Sequence, residues 1–184
     1  RAGIEQQSQT SIYFSGPFAY EQQPKTSLRA MAQILQTRLR DIMREDLGGT
    51  YGVGVSTNYG WQPFEKYSLT IGYGSDPERA EELVNVVFAE IEKLKEAPPE
   101  ESEVADVREN FSRTLETSLE SNPYWMNQLS QYYRLGVSPA AMLQYPPSID
   151  ALTPKMIQDA AQLYLDTDNY LRMTLLPVEQ YQEN

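Results

Sequence analysis

The sequence predicts an α+β domain, a mostly antiparallel sheet of four or more strands with helices packed on one face. Three observations lead there. Alternating β-formers occupy four short stretches, apolar residues at spacings of three and four fill the intervals, and the elements follow one another as β, α, ββ, ααα, α, β.

The first strand is "SQTSIYFSG", residues 8–16, closed by a Gly-Pro turn. A helix follows from Lys25 to about Leu47, with Leu28, Met31, Ala32, Leu35, Leu39, Ile42 and Met43 on one stripe. Gly48 and Gly49 supply the stop, because glycine accepts the left-handed conformation past a helix end. Two strands of equal parity come next. Tyr51, Val53, Val55 and Tyr59 share one face of the first, and Tyr67, Leu69, Ile71 and Tyr73 one face of the second. The opposite face is small: Gly52, Gly54 and Ser56, then Ser68, Thr70 and Gly72. Paired as a hairpin across "GWQPFE", the strands present one large-residue face and one that another backbone can approach.

Asp76 before Pro77 is a helix-start signature, a side-chain acceptor followed by proline at the first helical position. That helix runs to about Ala97 with Leu83, Val87, Ile91 and Leu94 inward. A second starts near Pro99 and carries Val104, Val107, Phe111, Leu115 and Leu119, so it packs back on the first. "SNPYWMNQLSQYYRLG" reads as a third helix, from Pro123 to Gly136, with Trp125 on its apolar stripe and therefore expected in the core. After a Pro-rich turn, Thr153 before Pro154 repeats the start signature and opens a helix through Ile157, Ala160, Ala161 and Tyr164. "NYLRMTLLP" is the last strand, alternating Leu171, Met173 and Leu175.

At 184 residues, 40% of them hydrophobic, the chain is long enough for a single packed core without disulfide or metal. It opens on Arg1 rather than Met, which points to a piece of something longer. Residues 1–184 are expected to hold neither signal peptide nor membrane span, since no apolar run among them approaches the eighteen or so residues that cross a membrane. The formal charge of -11 argues against a nucleic-acid surface. Residues 76–120 hold fourteen acidic and five basic side chains, a local excess of nine negative charges that reads as a solvated helical face. With no cysteine and no histidine, a zinc site is improbable and a histidine base is impossible within these residues.

"GGTYGVGVS" lacks the lysine of a phosphate loop, and there is no G-x-S-x-G elbow. Carboxylates crowd "PPEESE", but acids on one turn of an exposed helix are ordinarily solvated. Arg44 and Tyr51 remain, seven positions apart across the Gly-Gly hinge. Spacing alone leaves two readings open: a pair of donors at one edge, or an Arg that complements its helix dipole beside a Tyr that fills core.

"LRDIMREDLGGTYGVGVS" resembles the signature of the second, non-zinc half of the insulinase and pitrilysin family of zinc peptidases. Further matches lie at "PPEESEVADVRENF", at "NPYW" with the later "YRLG", and at "LTPKMIQDAAQLYL" through "TLLP". The resemblance implies a half-clamshell domain, 1–184, belonging to a larger multi-domain peptidase whose homologous N-terminal half carries the inverted zinc motif H-x-x-E-H. It implies that Arg44 and Tyr51 are catalytic donors reaching across a chamber to the scissile bond of a peptide substrate. Zinc then belongs to the intact enzyme, with none bound here and no activity for this half alone. Gly52 and Gly54 are expected to bind extended substrate main chain to main chain. The alternative is an inactive partner or scaffold subunit, or a peptide-binding module, of the same fold. The family also favours the bacterial periplasm. Tyr13, Tyr59, Trp61 and Phe64 could line a chamber or fill core.

Overall fold

Side-chain parity decides which way each strand of this fold faces. The computed structural model describes residues 7–46 and 50–177, and at 44–46, 50 and 51 the main chain alone. β1 (Ser8–Pro17) lies inside a four-stranded, wholly antiparallel sheet, with β2 (Thr50–Gly60), β3 (Lys66–Ser75) and β4 (Tyr170–Leu175) in the order β2-β3-β1-β4. Ile12 and Phe14 of β1 stand opposite Ile71 and Leu69 of β3, and all four are fully buried. Tyr13 and Gln9, on the other parity, are exposed. Leu171, Met173 and Leu175 of β4 join that second face and are each more than half exposed. One face of the sheet therefore carries the helices and the other is open.

The predicted hairpin forms across residues 61–65 with the expected parity: Tyr59 opposite Tyr67, Val55 opposite Ile71 and Val53 opposite Tyr73. Its open face pairs Gly52 with Gly74, Gly54 with Gly72 and Ser56 with Thr70.

Helix α1 (Gln22–Arg40) crosses the covered face with Leu28, Met31, Leu35 and Leu39 fully buried. Burying a leucine side chain contributes roughly 1.5–3 kcal/mol, so this stripe anchors the domain. The helix starts three residues earlier than its periodicity suggested and ends as a π-helical turn, Asp41–Asp46. The expected Gly48–Gly49 stop lies outside the described residues.

Asp76 caps as predicted, its Oδ1 accepting from the Glu78 amide at 3.0 Å, and a short 3-10 turn leads into α2 (Ala80–Glu96). α3 (Glu101–Leu119) packs chiefly on α1 rather than back on α2 as expected, with Val104, Val107 and Phe111 buried. Burial stops there, because Leu115 is only half-buried and Leu119 is exposed. Arg38 of α1 ties the three helices together. Its Nε and Nη2 donate to Glu103 at 2.7 Å each, and its Nη1 to buried Glu90 at 3.3 Å. Glu90 and Glu103 thus leave the solvated acidic face that the sequence suggested.

α4 (Asn122–Leu135) ends on left-handed Gly136, as predicted, yet none of its residues is buried. The core placement of Trp125 is therefore corrected. It is 40% exposed, and its indole N–H donates to the Leu119 carbonyl at 2.8 Å. Its apolar stripe faces outward because the opposite side of α4 borders a groove rather than the core. Beyond it, the stretch read as a Pro-rich turn is a 3-10 turn, Pro139–Gln144, followed by α5 (Tyr145–Asp150), which Pro146 and Pro147 start. Paired prolines read as breakers, but proline suits a first helical turn whose N–H groups lack partners anyway. α6 (Pro154–Tyr164) is capped by Thr153, whose Oγ1 accepts from the Met156 amide, and buries Ile157, Ala160, Ala161 and Tyr164.

Candidate functional site

The helix-to-strand junction that carries Arg44 and Tyr51 is built from α1 and β2, which pack against each other. Arg44 sits in the π-helical turn and Tyr51 is the second residue of β2. Both side chains lie outside the described residues, so the structure places the two by backbone alone. At Tyr51 the register slips: Thr50 pairs with Ser75 while Gly52 pairs with Gly74, leaving Tyr51 the extra residue of a β-bulge. Gly52 completes the bulge with φ +151°, a conformation that only glycine adopts readily.

Gly52 and Gly54 lie on the open face of edge strand β2, and a Cβ at either would meet nothing within 4 Å. Among the described residues nothing covers that face at these two positions. The lateral edge is partly taken, because the Val55 amide donates to Gln36 Oε1 at 2.9 Å. An extended peptide adding along β2 at this point must displace Gln36.

A second concavity lies on the helical side. α1, the C-terminal end of α3, α4 and α5 surround a groove of about 1050 Å³. Its walls are aromatic and amide-rich, with Tyr20, Tyr59, Trp61, Tyr124, Tyr132 and Tyr145 among them. Tyr20 meets Trp61 edge-on at 5.4 Å and Tyr59 at 6.0 Å, and its hydroxyl accepts from Gln131 at 3.0 Å. Burial pushes the Tyr59, Tyr124 and Tyr132 phenols up from their ordinary values. Lys25 and Arg29 enter from α1. Burial brings the Lys25 ammonium down to about 8, against a weaker upward pull from Glu65. Arg29 donates to the Tyr145 hydroxyl at 2.9 Å. Sequence reading missed this groove, because its walls come from segments more than a hundred residues apart. The only local hint was a Lys and an Arg four positions apart near a helix start.

Zinc does not fit this chain. The sequence has neither His nor Cys, and among the described residues no three carboxylates gather as a ligand set. No described helix is long and apolar enough to cross a membrane.

A four-stranded antiparallel sheet with helices on one face, and no metal-ligand set among the described residues, is the frame on which the family match falls. The chain belongs to the Peptidase M16 inactive domain family, whose match spans residues 2–111, more than half of its length and the whole Arg44–Tyr51 junction. A zinc protease PQQL-like protein of Arabidopsis thaliana is 22% identical over 109 residues, covering 56% of this chain and 11% of its own. The periplasmic protease PqqL of Escherichia coli superposes with a TM-score of 0.81 at 22% identity, over 95% of this chain and 20% of its own. An inactive peptidase domain from Bordetella parapertussis superposes at 0.78 with 16% identity, over all of this chain and 97% of its own. At these identities the superpositions carry the fold. This chain therefore spans a fifth or less of the PqqL-type relatives it matches.

Proposed function

We propose that residues 1–184 form one domain of a larger, multi-domain zinc endopeptidase that cleaves peptides or small unfolded proteins. In this reading the domain faces substrate from the half opposite the metal. Arg44 and Tyr51 donate hydrogen bonds to the scissile region, and Gly52 and Gly54 let the extended substrate backbone come close. The observation that carries the reading is the junction itself: the family match runs through it, and a helix end, a bulge and a glycine-lined open face converge there.

Water attack on a peptide carbonyl develops negative charge on oxygen. A fixed donor stabilises that charge more than it stabilises the neutral carbonyl, by roughly 3 kcal/mol in comparable sites. A phenol offers one directed O–H, and a guanidinium adds permanent charge and a fork of N–H groups. Neither generates the nucleophile, so metal and base belong to the homologous N-terminal domain, on the same chain or a partner. The periplasm is the proposed compartment, on the likeness to PqqL.

The test is cleavage of a quenched peptide by the full-length protein, wild type beside Tyr51→Phe, each with and without a zinc chelator. Chelator-sensitive turnover is expected to fall about a hundredfold or more in the variant, with unchanged melting temperature. Wild-type turnover in Tyr51→Phe would remove Tyr51 from the site. Absence of cleavage in every sample would make the protein a partner or scaffold.

A further inference from the structure

The helical-side groove holds two cations that no carboxylate among the described residues clasps, although Glu65 acts on Lys25 through space. Lys25 and Arg29 stand one turn apart on α1, where like charges repel. What surrounds them is aromatic. Lys25 Nζ lies 3.2 Å from the centre of the Tyr20 ring and 5.7 Å from that of Tyr59. The Arg29 guanidinium carbon lies 4.8 Å from the Phe111 ring centre and 5.5 Å from that of Tyr145.

Among the described residues neither cation makes an ion pair with a carboxylate, whereas Arg38 on the same helix is held by two. Shortage of acids is not the cause, since the chain has 26 acidic residues and 15 basic ones. Among the described residues the one acidic side chain lining the groove is Glu21, which is exposed. A strongly acidic protein has thus lined a concave, aromatic site with two cations and one exposed carboxylate. Ring faces attract a cation without using up its N–H groups as a carboxylate would. One guanidinium N–H of Arg29 goes to Tyr145, and the remaining donors of both residues are left for a ligand. The first turn of α1 adds to the field: it contains no acidic residue, and Glu21 does not cap it with its side chain.

We propose that this groove binds a peptide by its carboxylate, seated between Lys25 and Arg29, with a neighbouring apolar side chain laid against Tyr20, Tyr59 and Trp61. The carboxylate follows from the two cations. That the ligand is a peptide rests on the peptidase reading above. Side-chain amides of Gln128 and Gln144, which have no partner among the described residues, suit it, because each both donates and accepts as a peptide bond does. The carboxylate is either the peptide's own C-terminus or an Asp or Glu side chain. The groove then anchors substrate on the helical side of the domain, away from the junction that bears Arg44 and Tyr51.

Calorimetric titration of the 184-residue chain separates the possibilities. The probes are Ac-Ala-Ala-Phe as free acid, the same peptide as C-terminal amide, Ac-Ala-Glu-Phe amide, and 3-phenylpropionate. The free acid, the Glu-bearing amide or both should bind at least about tenfold tighter than the uncharged amide. Whichever binds identifies the source of the carboxylate. Lys25→Gln and Arg29→Gln should each weaken that binding about tenfold and bring charged and uncharged peptides together. Raising NaCl from about 50 to 500 mM should weaken only the charged peptides, a readout on wild type that needs no variant to fold. Affinity of both carboxylate-bearing peptides no greater than that of the uncharged amide, no binding by any probe, or affinity unmoved by both substitutions would overturn the proposal. Equal binding of 3-phenylpropionate would overturn the peptide assignment. None of these outcomes bears on the Tyr51→Phe cleavage result, so the two readings fail separately.

Discussion

Gly52 and Gly54 sit two residues apart on one strand and obey different physics. Both have open space where a Cβ would stand, but only Gly52 has a backbone that side chains resist, at φ +151°. Gly52→Ala is therefore expected to cost about 1–3 kcal/mol in urea unfolding, and Gly54→Ala to stay within about 0.5 kcal/mol of wild type. Equal costs at the two positions would contradict the bulge geometry. Sequence parity placed both glycines on the small-residue face, and the structure agrees, because alternation is a local property of an extended backbone. The bulge that gives Gly52 its role was invisible, since it depends on how β2 meets β3. Trp125 shows the same limit from the other side. A helical stripe says that residues share a face, and only neighbouring elements say whether that face is covered.

Among the elements, α1, α2 and α3 are joined by a single guanidinium. Glu103 is held below the ordinary carboxylate value, first by its hydrogen bond from Arg38. A depressed carboxyl adds stability above its unfolded value of 4.5, and that stability is lost as pH falls from there through the folded value. Arg38→Met should cost roughly 2–3 kcal/mol at pH 7, where it strands Glu103 and weakens the pairing of buried Glu90. The gap between variant and wild type should narrow by pH 3, as read from urea midpoints at the two pH values. A gap that holds constant would mean that Arg38 acts by packing its stem. Most helices were legible from the apolar residues that recur at three and four, and their starts from Asp76 and Thr153. α5 was not, because two prolines mask a helix only six residues long.

For the molecule as a whole, burial is uneven in a way that predicts motion. α1, α2, α6, β1 and β3 carry most of the fully buried core, while α4 forms one wall of the groove and buries nothing. Native-state hydrogen exchange should find α4 opening at a free energy well below global unfolding, with β1 and β3 exchanging only globally. The free-acid or Glu-bearing peptide, whichever binds, should slow exchange in α4 selectively. Protection in α4 equal to that in β3 would place it in the cooperative core. The sequence by itself determined the α+β class, the hairpin and its parity, most of the helices, and the family, because periodicity and capping are written in neighbouring residues and the junction motif is contiguous. Only the tertiary structure decided that a bulge falls at Tyr51, that Arg38 clasps two acids, and that Lys25 and Arg29 share a groove. Each of these joins residues distant in sequence, and such contacts exist only once the polypeptide has closed on itself.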